Sequence, residues 1–90
     1  MQDELTQTPG YEFLKFILEN IVDEKDKLEI TVKKDDLGIL LAVKVSPSDM
    51  GKLIGKNGQT IKALRTLLRI VGGSENRINL KILEPGEKPA

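Results

Sequence analysis

Glycines 55 and 58 enclose Lys56 and Asn57, and this Gly55-Lys56-Asn57-Gly58 tetrapeptide is the stretch of the chain best equipped for chemistry. Two glycines three apart let the backbone turn through angles closed to other residues and let a sugar-phosphate chain come close. Where such a turn opens a helix, the first backbone N–H groups lack intrahelical partners and carry a partial positive charge, a ready site for phosphate. Lys56 adds a mobile cation. The chemistry on offer is anion binding, not bond making. Catalytic alternatives are poor, because the 90 residues contain no histidine and no cysteine. That excludes a Ser-His-Asp triad, a thiol nucleophile and an ordinary zinc site. Asp35-Asp36 reads as a hairpin loop rather than a metal or acid–base pair, with no third ligand near it in sequence. A Walker A loop is excluded as well, since three residues instead of four separate Gly51 from Gly55 and Asn57 follows Lys56. Nothing in the residues calls for a cofactor.

Two helices must hold the turn. Ser46 at an N-cap, Pro47 at the first helical position and Asp49 as the acid of a capping box announce a short helix. It carries Met50, Leu53 and Ile54 at helical spacing and stops at Gly55. Gly58 then opens a longer helix whose apolar positions, Ile61, Leu64, Leu67, Leu68 and Val71, run to Gly72-Gly73. Lys62, Arg65 and Arg69 fall within a sector of roughly 60° beside that stripe. They form a basic ridge that either tracks a phosphate backbone or simply solvates the helix.

Before these helices, Met1 to Gln7 reads as a flexible leader. Thr8-Pro9 looks like the start of a helix bearing Tyr11, Phe13, Leu14, Phe16, Ile17, Leu18, Ile21 and Val22, and ending near Asp23. All three aromatics lie there, and their spacing among leucines and isoleucines favours core or a subunit interface over a base-stacking platform. Asp23 to Lys27 is a charged connection. Leu28–Lys33 alternates as a strand with one wet face, Lys34–Gly38 turns, and Ile39–Val45 is a strand apolar enough on both faces to be central or covered. After a break at Gly72–Asn76, Arg77–Ile82 alternates as a third strand, and the chain from Pro85 reads as a tail. The expectation is one domain over residues 8–84, with a leader (1–7) and a tail (85–90). Its fold is α+β in the order α-β-β-α-α-β, a three-stranded sheet with three helices packed on one face.

Composition agrees with a small globular domain, at 39% hydrophobic and 31% charged residues. The absence of cysteine fits a reducing cytoplasm, and no run approaches a membrane span. The formal net charge of zero conceals an uneven distribution. Residues 1–43 carry five cations against ten acids, whereas residues 44–81 carry eight against two. The basic half holds the glycine turn, as a site for a polyanion requires.

Leu53-Ile54-Gly55-Lys56-Asn57-Gly58-Gln59-Thr60-Ile61 resembles the signature of KH domains, in which a helix–Gly-x-x-Gly–helix unit clamps about four nucleotides of a single strand. The element order resembles the type II KH arrangement. Val45 to Gly58 followed by Lys62-Ala63-Leu64-Arg65 resembles the KhpA family of small bacterial single-KH RNA-binding proteins. That resemblance implies a cytoplasmic regulator that binds single-stranded RNA, forms homodimers, pairs with a second KH protein of the KhpB (Jag) type and is linked to cell elongation and division. Carried onto this chain, it makes Lys52, Leu53, Ile54, Gly55, Lys56, Asn57, Gly58, Gln59, Ile61, Lys62, Arg65 and Arg69 the RNA-binding residues. Two positions depart from the family pattern: Asn57, where glutamine is frequent, and Gln59, where arginine is frequent. The second removes a cation beside the phosphate site. The rival reading is a degenerate KH fold whose apolar first helix makes it a protein-interaction module.

Overall fold

The computed structural model describes residues 8–73, 76–84 and Gly86. The expected leader and, Gly86 apart, the expected tail lie outside the described residues. The elements are α1 (Tyr11–Ile21), a 3₁₀ turn (Lys25–Lys27), β1 (Glu29–Asp35), β2 (Gly38–Lys44), α2 (Pro47–Ile54), a second 3₁₀ turn (Lys56–Gly58), α3 (Gln59–Gly72) and β3 (Ile78–Ile82). This is the α+β order expected. In the sheet, β2 lies between β1, its antiparallel partner, and β3, its parallel partner. A parallel pair needs a long crossover, and α2, the glycine turn and α3 supply it.

Register explains the core. Ile30, Val43 and Ile82 form one row across the sheet, Val32, Leu41 and Leu80 a second, and Ile39 and Ile78 part of a third, all on the same face. Against that face pack Leu14 and Leu18 of α1, Leu53 of α2, and Leu64 and Leu68 of α3. Each fully buried leucine contributes about 1.5–3 kcal/mol of apolar burial. The opposite face carries Lys33, Leu40 and Asn79 in one row and Thr31, Ala42 and Lys81 in another. There the central strand's apolar residues are flanked by polar neighbours, which accounts for its unusually apolar sequence.

Three local expectations are corrected. Thr8-Pro9 does not begin α1. It forms a turn in which the Tyr11 N–H donates to the Thr8 carbonyl at 3.1 Å, and Gly10 (φ 85°) is the N-cap. A Cβ at Gly10 would lie 3.0 Å from Leu68 Cδ2 and 3.2 Å from Ile78 Cδ1, so glycine serves both the backbone and the packing there. The hairpin is tighter than a five-residue turn, because Asp35 pairs with Gly38 and only Asp36 and Leu37 lie between. The Leu37 N–H donates to Asp35 Oδ1 at 2.8 Å, the local bond that makes aspartate a turn former.

The third correction concerns Asp49. A capping box would aim its side chain at its own helix start, and Ser46 would cap in return, but Ser46 makes no side-chain cap bond to the α2 backbone. Asp49 is fully buried and reaches across to the segment leaving α1, where Oδ1 accepts from the Asp23 N–H and Oδ2 from the Glu24 N–H, both at 3.0 Å. The Ser46 hydroxyl donates to Oδ2 at 3.1 Å. Those backbone donors, Asp23 first, hold the Asp49 carboxyl below the usual carboxylate range despite the opposing effect of burial. The unfolded chain therefore binds this proton more readily than the native state. The contribution to stability is complete above the unfolded pKa, about 4, and drains away as pH falls through the lower native value. Asp49→Asn presents an NH2 group to one of the two backbone donors. It should lower the thermal midpoint at pH 7 by more than about 5 °C and flatten the loss of stability between pH 5 and 3, as thermal melts across that range will show.

Candidate nucleic-acid interface

The glycine turn is a left-handed corner between two helices. α2 ends as the Gly55 N–H donates to the Gly51 carbonyl at 2.8 Å, and Gly55 itself sits at φ 76°, ψ 174°, a region open almost only to glycine. Asn57 (φ 56°, ψ 25°) and Gly58 (φ 74°, ψ 17°) follow, both left-handed. Asn57 is the one non-glycine with positive φ among the described residues, and asparagine is among the side chains that tolerate it best. The Gly58 and Gln59 N–H groups close the turn on the Gly55 and Lys56 carbonyls. Gly58 has no side chain to cap α3, so beyond the Gln59 amide, already bonded to Lys56, no side-chain cap occupies the helix start.

Along the second half of α3 a groove separates the helix from the edge of β3. Arg65, Arg69, Ile78, Asn79 and Leu80 line a cleft of about 310 Å3, and Arg69, Ile78 and Asn79 are shared with a larger cavity at the far end of α3. Within the groove an Arg65 guanidinium nitrogen donates to the Leu80 carbonyl at 3.3 Å, bridging helix to strand edge. Lys62 lies near the other end, its Cε 4.0 Å from where a Cβ on Gly58 would stand. Lys62 thereby brings a second cation toward the turn, beside the position where Gln59 lacks one.

The expected site residues thus divide. Lys56, Asn57 and Gln59 are exposed on the turn, Gly55 and Gly58 shape it, and Lys62, Arg65 and Arg69 are exposed along the groove side of α3. Ile54 is 39% exposed and Ile61 half-buried, which leaves both partly accessible. Leu53 is fully buried in the core and supports the groove from beneath instead of lining it. Lys52 is turned away from the turn, in an ion pair with Asp23 and 4.0 Å from Asp49, and the hydrogen bond with Asp23 raises its ammonium above the usual lysine range. Sequence reasoning missed the β3 side of the groove, Asn76 to Leu80. The one available signal was that Arg77 and Lys81 belong to the basic half of the chain. The two glycines also differ in kind. A Cβ at Gly55 would stand 2.2 Å from Thr60 Oγ1, whereas one at Gly58 meets nothing nearer than 4.0 Å. Gly58→Ala should cost about 1 kcal/mol, the left-handed backbone penalty, and Gly55→Ala at least about 3 kcal/mol, as urea unfolding will measure.

Comparison with known proteins places the sequence in a family. The KH-domain model described as KhpA/KhpB matches residues 11–82. An RNA-binding protein KhpA from Chlamydia pneumoniae is 42% identical over 74 residues, 81% of this chain and 95% of its own length. The Streptomyces coelicolor protein of that name is 39% identical over 77% of this chain and 87% of its own, and that of Borreliella burgdorferi 36% over 81% and 90%. No solved structure gives a significant match. With the family model covering α1 through β3 and relatives aligned over most of their length, the chain belongs to the KhpA/KhpB family of KH-domain proteins.

Proposed function

We propose that this protein binds single-stranded RNA at the Gly55–Gly58 turn and the α3–β3 groove, without catalysis, and acts as a post-transcriptional regulator or RNA chaperone. The observation that carries the reading is the turn itself: consecutive left-handed residues at Asn57 and Gly58 set an uncapped helix start beside Lys56 and Lys62. Phosphates lie against those amides and cations, while bases rest on the aliphatic surface of Ile54 and Ile61 and the edge of β3. The relatives' shared name, RNA-binding protein, supports the same assignment. No aromatic side chain lines the groove clefts, so stacking adds little and one domain binds on the order of micromolar or more weakly. Replacing Lys56 and Asn57 together by aspartate tests the clamp. Both are exposed and aspartate tolerates the left-handed backbone of position 57, so stability should change by less than about 1 kcal/mol. Retention of the double variant on single-stranded RNA should nevertheless vanish; a folded variant that still binds removes the clamp.

A second surface favours self-association. Ile70 is 71% exposed and Phe16 69%, with Leu67 and Val71 beside Ile70 on the α3 flank opposite Arg65 and Arg69. A ninety-residue domain gains by covering such surface, and a twofold pair would present two weak clamps at fixed spacing. Light scattering on a dilution series should show twice the 10.0 kDa chain mass, with Ile70→Glu shifting dissociation to concentrations at least about tenfold higher. A single-chain mass throughout would remove self-association through this surface.

A further inference from the structure

We infer that the outer edge of β1 pairs antiparallel with the same edge of a second copy of this chain, about a twofold axis at Thr31, joining two sheets into one. Neither the Gly55–Gly58 turn nor the flanks of α3 take part, so this pairing stands apart from the RNA-binding reading. Of the sheet's two edges, β3 is flanked by α3 and its Leu80 carbonyl is occupied by Arg65. β1 is the other edge, and among the described residues nothing bonds to its outer side. A seven-residue strand with a row of unpaired N–H and C=O groups is a template for another strand.

The hairpin sets which groups point outward. Asp35 and Gly38 close a two-residue loop, where the closing residues exchange backbone bonds. Bonded and non-bonded pairs then alternate, so Asp35, Lys33, Thr31 and Glu29 turn their backbone groups to β2, while Lys34, Val32 and Ile30 turn theirs outward. Residues directly opposite one another share a face of the sheet, so a one-residue slip that set core-facing Ile30 against Lys33 is excluded. Registers two residues apart remain.

Charge selects among them. An axis at Val32 sets Glu29 opposite Asp35 of the second copy, and one at Ile30 sets Lys27 opposite Lys33. An axis nearer either strand end shortens the ladder or brings Lys33 or Lys34 against itself. Only the axis at Thr31 sets Glu29 opposite Lys33, twice by symmetry, with Lys27 opposite Asp35 at each end. Ile30 then meets Val32, both half-buried at the margin of the core, and Thr31 meets its own copy as a non-bonded pair. The side chains of Glu29 and Lys33 have no ion-pair or hydrogen-bond partner among the described residues. Edge lysines ordinarily repel an incoming strand, but here Lys33 meets an acid and the stem of Lys34 lies along Leu28. The axis is perpendicular to the sheet, so the helices of both copies cover the same face.

The experiment uses the full chain with Ile70→Glu, which removes the α3 flank as a contact. The chain has no cysteine, so one placed at Thr31 has only its copy to bond, and the Cα atoms of a non-bonded antiparallel pair lie about 4.5 Å apart, within disulfide range. In oxidising glutathione buffer at protein concentrations on the order of millimolar, suited to so small a contact, Thr31→Cys should form disulfide pairs at least about tenfold faster than Leu37→Cys. Leu37 is 77% exposed at the hairpin tip, and its two copies lie at opposite ends of the ladder. Adding Glu29→Lys or Lys33→Glu should lower the Thr31→Cys rate to that of Leu37→Cys, and adding both, which exchanges the charges, should restore most of it. The two single changes shift thiol acidity in opposite directions, so slowing by both reports pairing. Without any cysteine, diluting the Ile70→Glu chain should move the outward Ile30, Val32 and Lys34 amides in NMR spectra more than the inward Thr31 and Lys33 amides, and thermal melts verify that each variant is folded. Equal disulfide rates at positions 31 and 37, or outward amides that do not move on dilution, overturn the pairing. Single charge changes that leave the Thr31→Cys rate high, or a double change that fails to restore it, overturn the register on which the proposal stands.

Discussion

One buried carboxylate fixes where the helical unit stands. Asp49 is the sole charged side chain among the fully buried described residues, and it spends its two oxygens on backbone N–H groups of Asp23 and Glu24, twenty-six and twenty-five positions earlier. A charge taken out of water is tolerated only with such partners, so the arrangement permits little slack between the end of α1 and the start of α2. The rim repeats the link. Ser48 donates to Glu24 at 2.8 Å, the hydroxyls of Ser46 and Ser48 lower the Glu24 pKa, and Lys52 pairs with Asp23. Because α2 is eight residues long and ends in the glycine turn, fixing its first turn fixes the corner one helix length away.

That corner illustrates how little side-chain chemistry an anion site requires. Gly55 is irreplaceable on two counts, backbone angle and the contact with Thr60, while Gly58 contributes only its angle and its lack of a cap. An N-cap serine at position 58 would satisfy an amide of α3 internally and remove it from any ligand. Absence of a cap therefore weakens the helix start and equips it to bind, a local stability loss of the sort found at functional sites.

Much of this was legible in the residues. Hydrophobic period and glycine punctuation placed every strand and helix in order, because the periods of two and of 3.6 are imposed by the sheet and helix faces that Leu41 and Leu64 bury. The glycine turn was legible because its geometry is local: φ angles at positions 55, 57 and 58 depend on the residue types there. Asp49 was misread for the opposite reason. Serine, proline and acid at capping-box spacing meet the local rule, and only the fold brings the competing Asp23 and Glu24 donors within 3.0 Å. Likewise, alternation identified β3 but not its place at the sheet's edge, so the groove's second wall, with the Leu80 carbonyl and Arg77, stayed hidden. Leu53 and Lys52 looked like ligand contacts from their proximity to Gly55, yet helical rotation turns one to the core and the other toward Asp23.

The division of α3 into two exposed flanks bears on how weak binding becomes useful. Leu64 and Leu68 face the sheet; Arg65 and Arg69 lie to one side of that stripe, and Leu67, Ile70 and Val71 to the other. A contact made through the apolar flank would leave the arginine flank and the β3 edge uncovered, so the proposed pairing and the proposed RNA binding would not compete for surface. Since the same rigid helix carries both, a partner seated on one flank holds the groove on the other at a set distance and angle. Two grooves so held convert the second binding step into an intramolecular one, at an effective concentration that for short linkages is on the order of millimolar. Against a single-site dissociation constant on the order of micromolar, that gain exceeds what any one additional groove contact supplies.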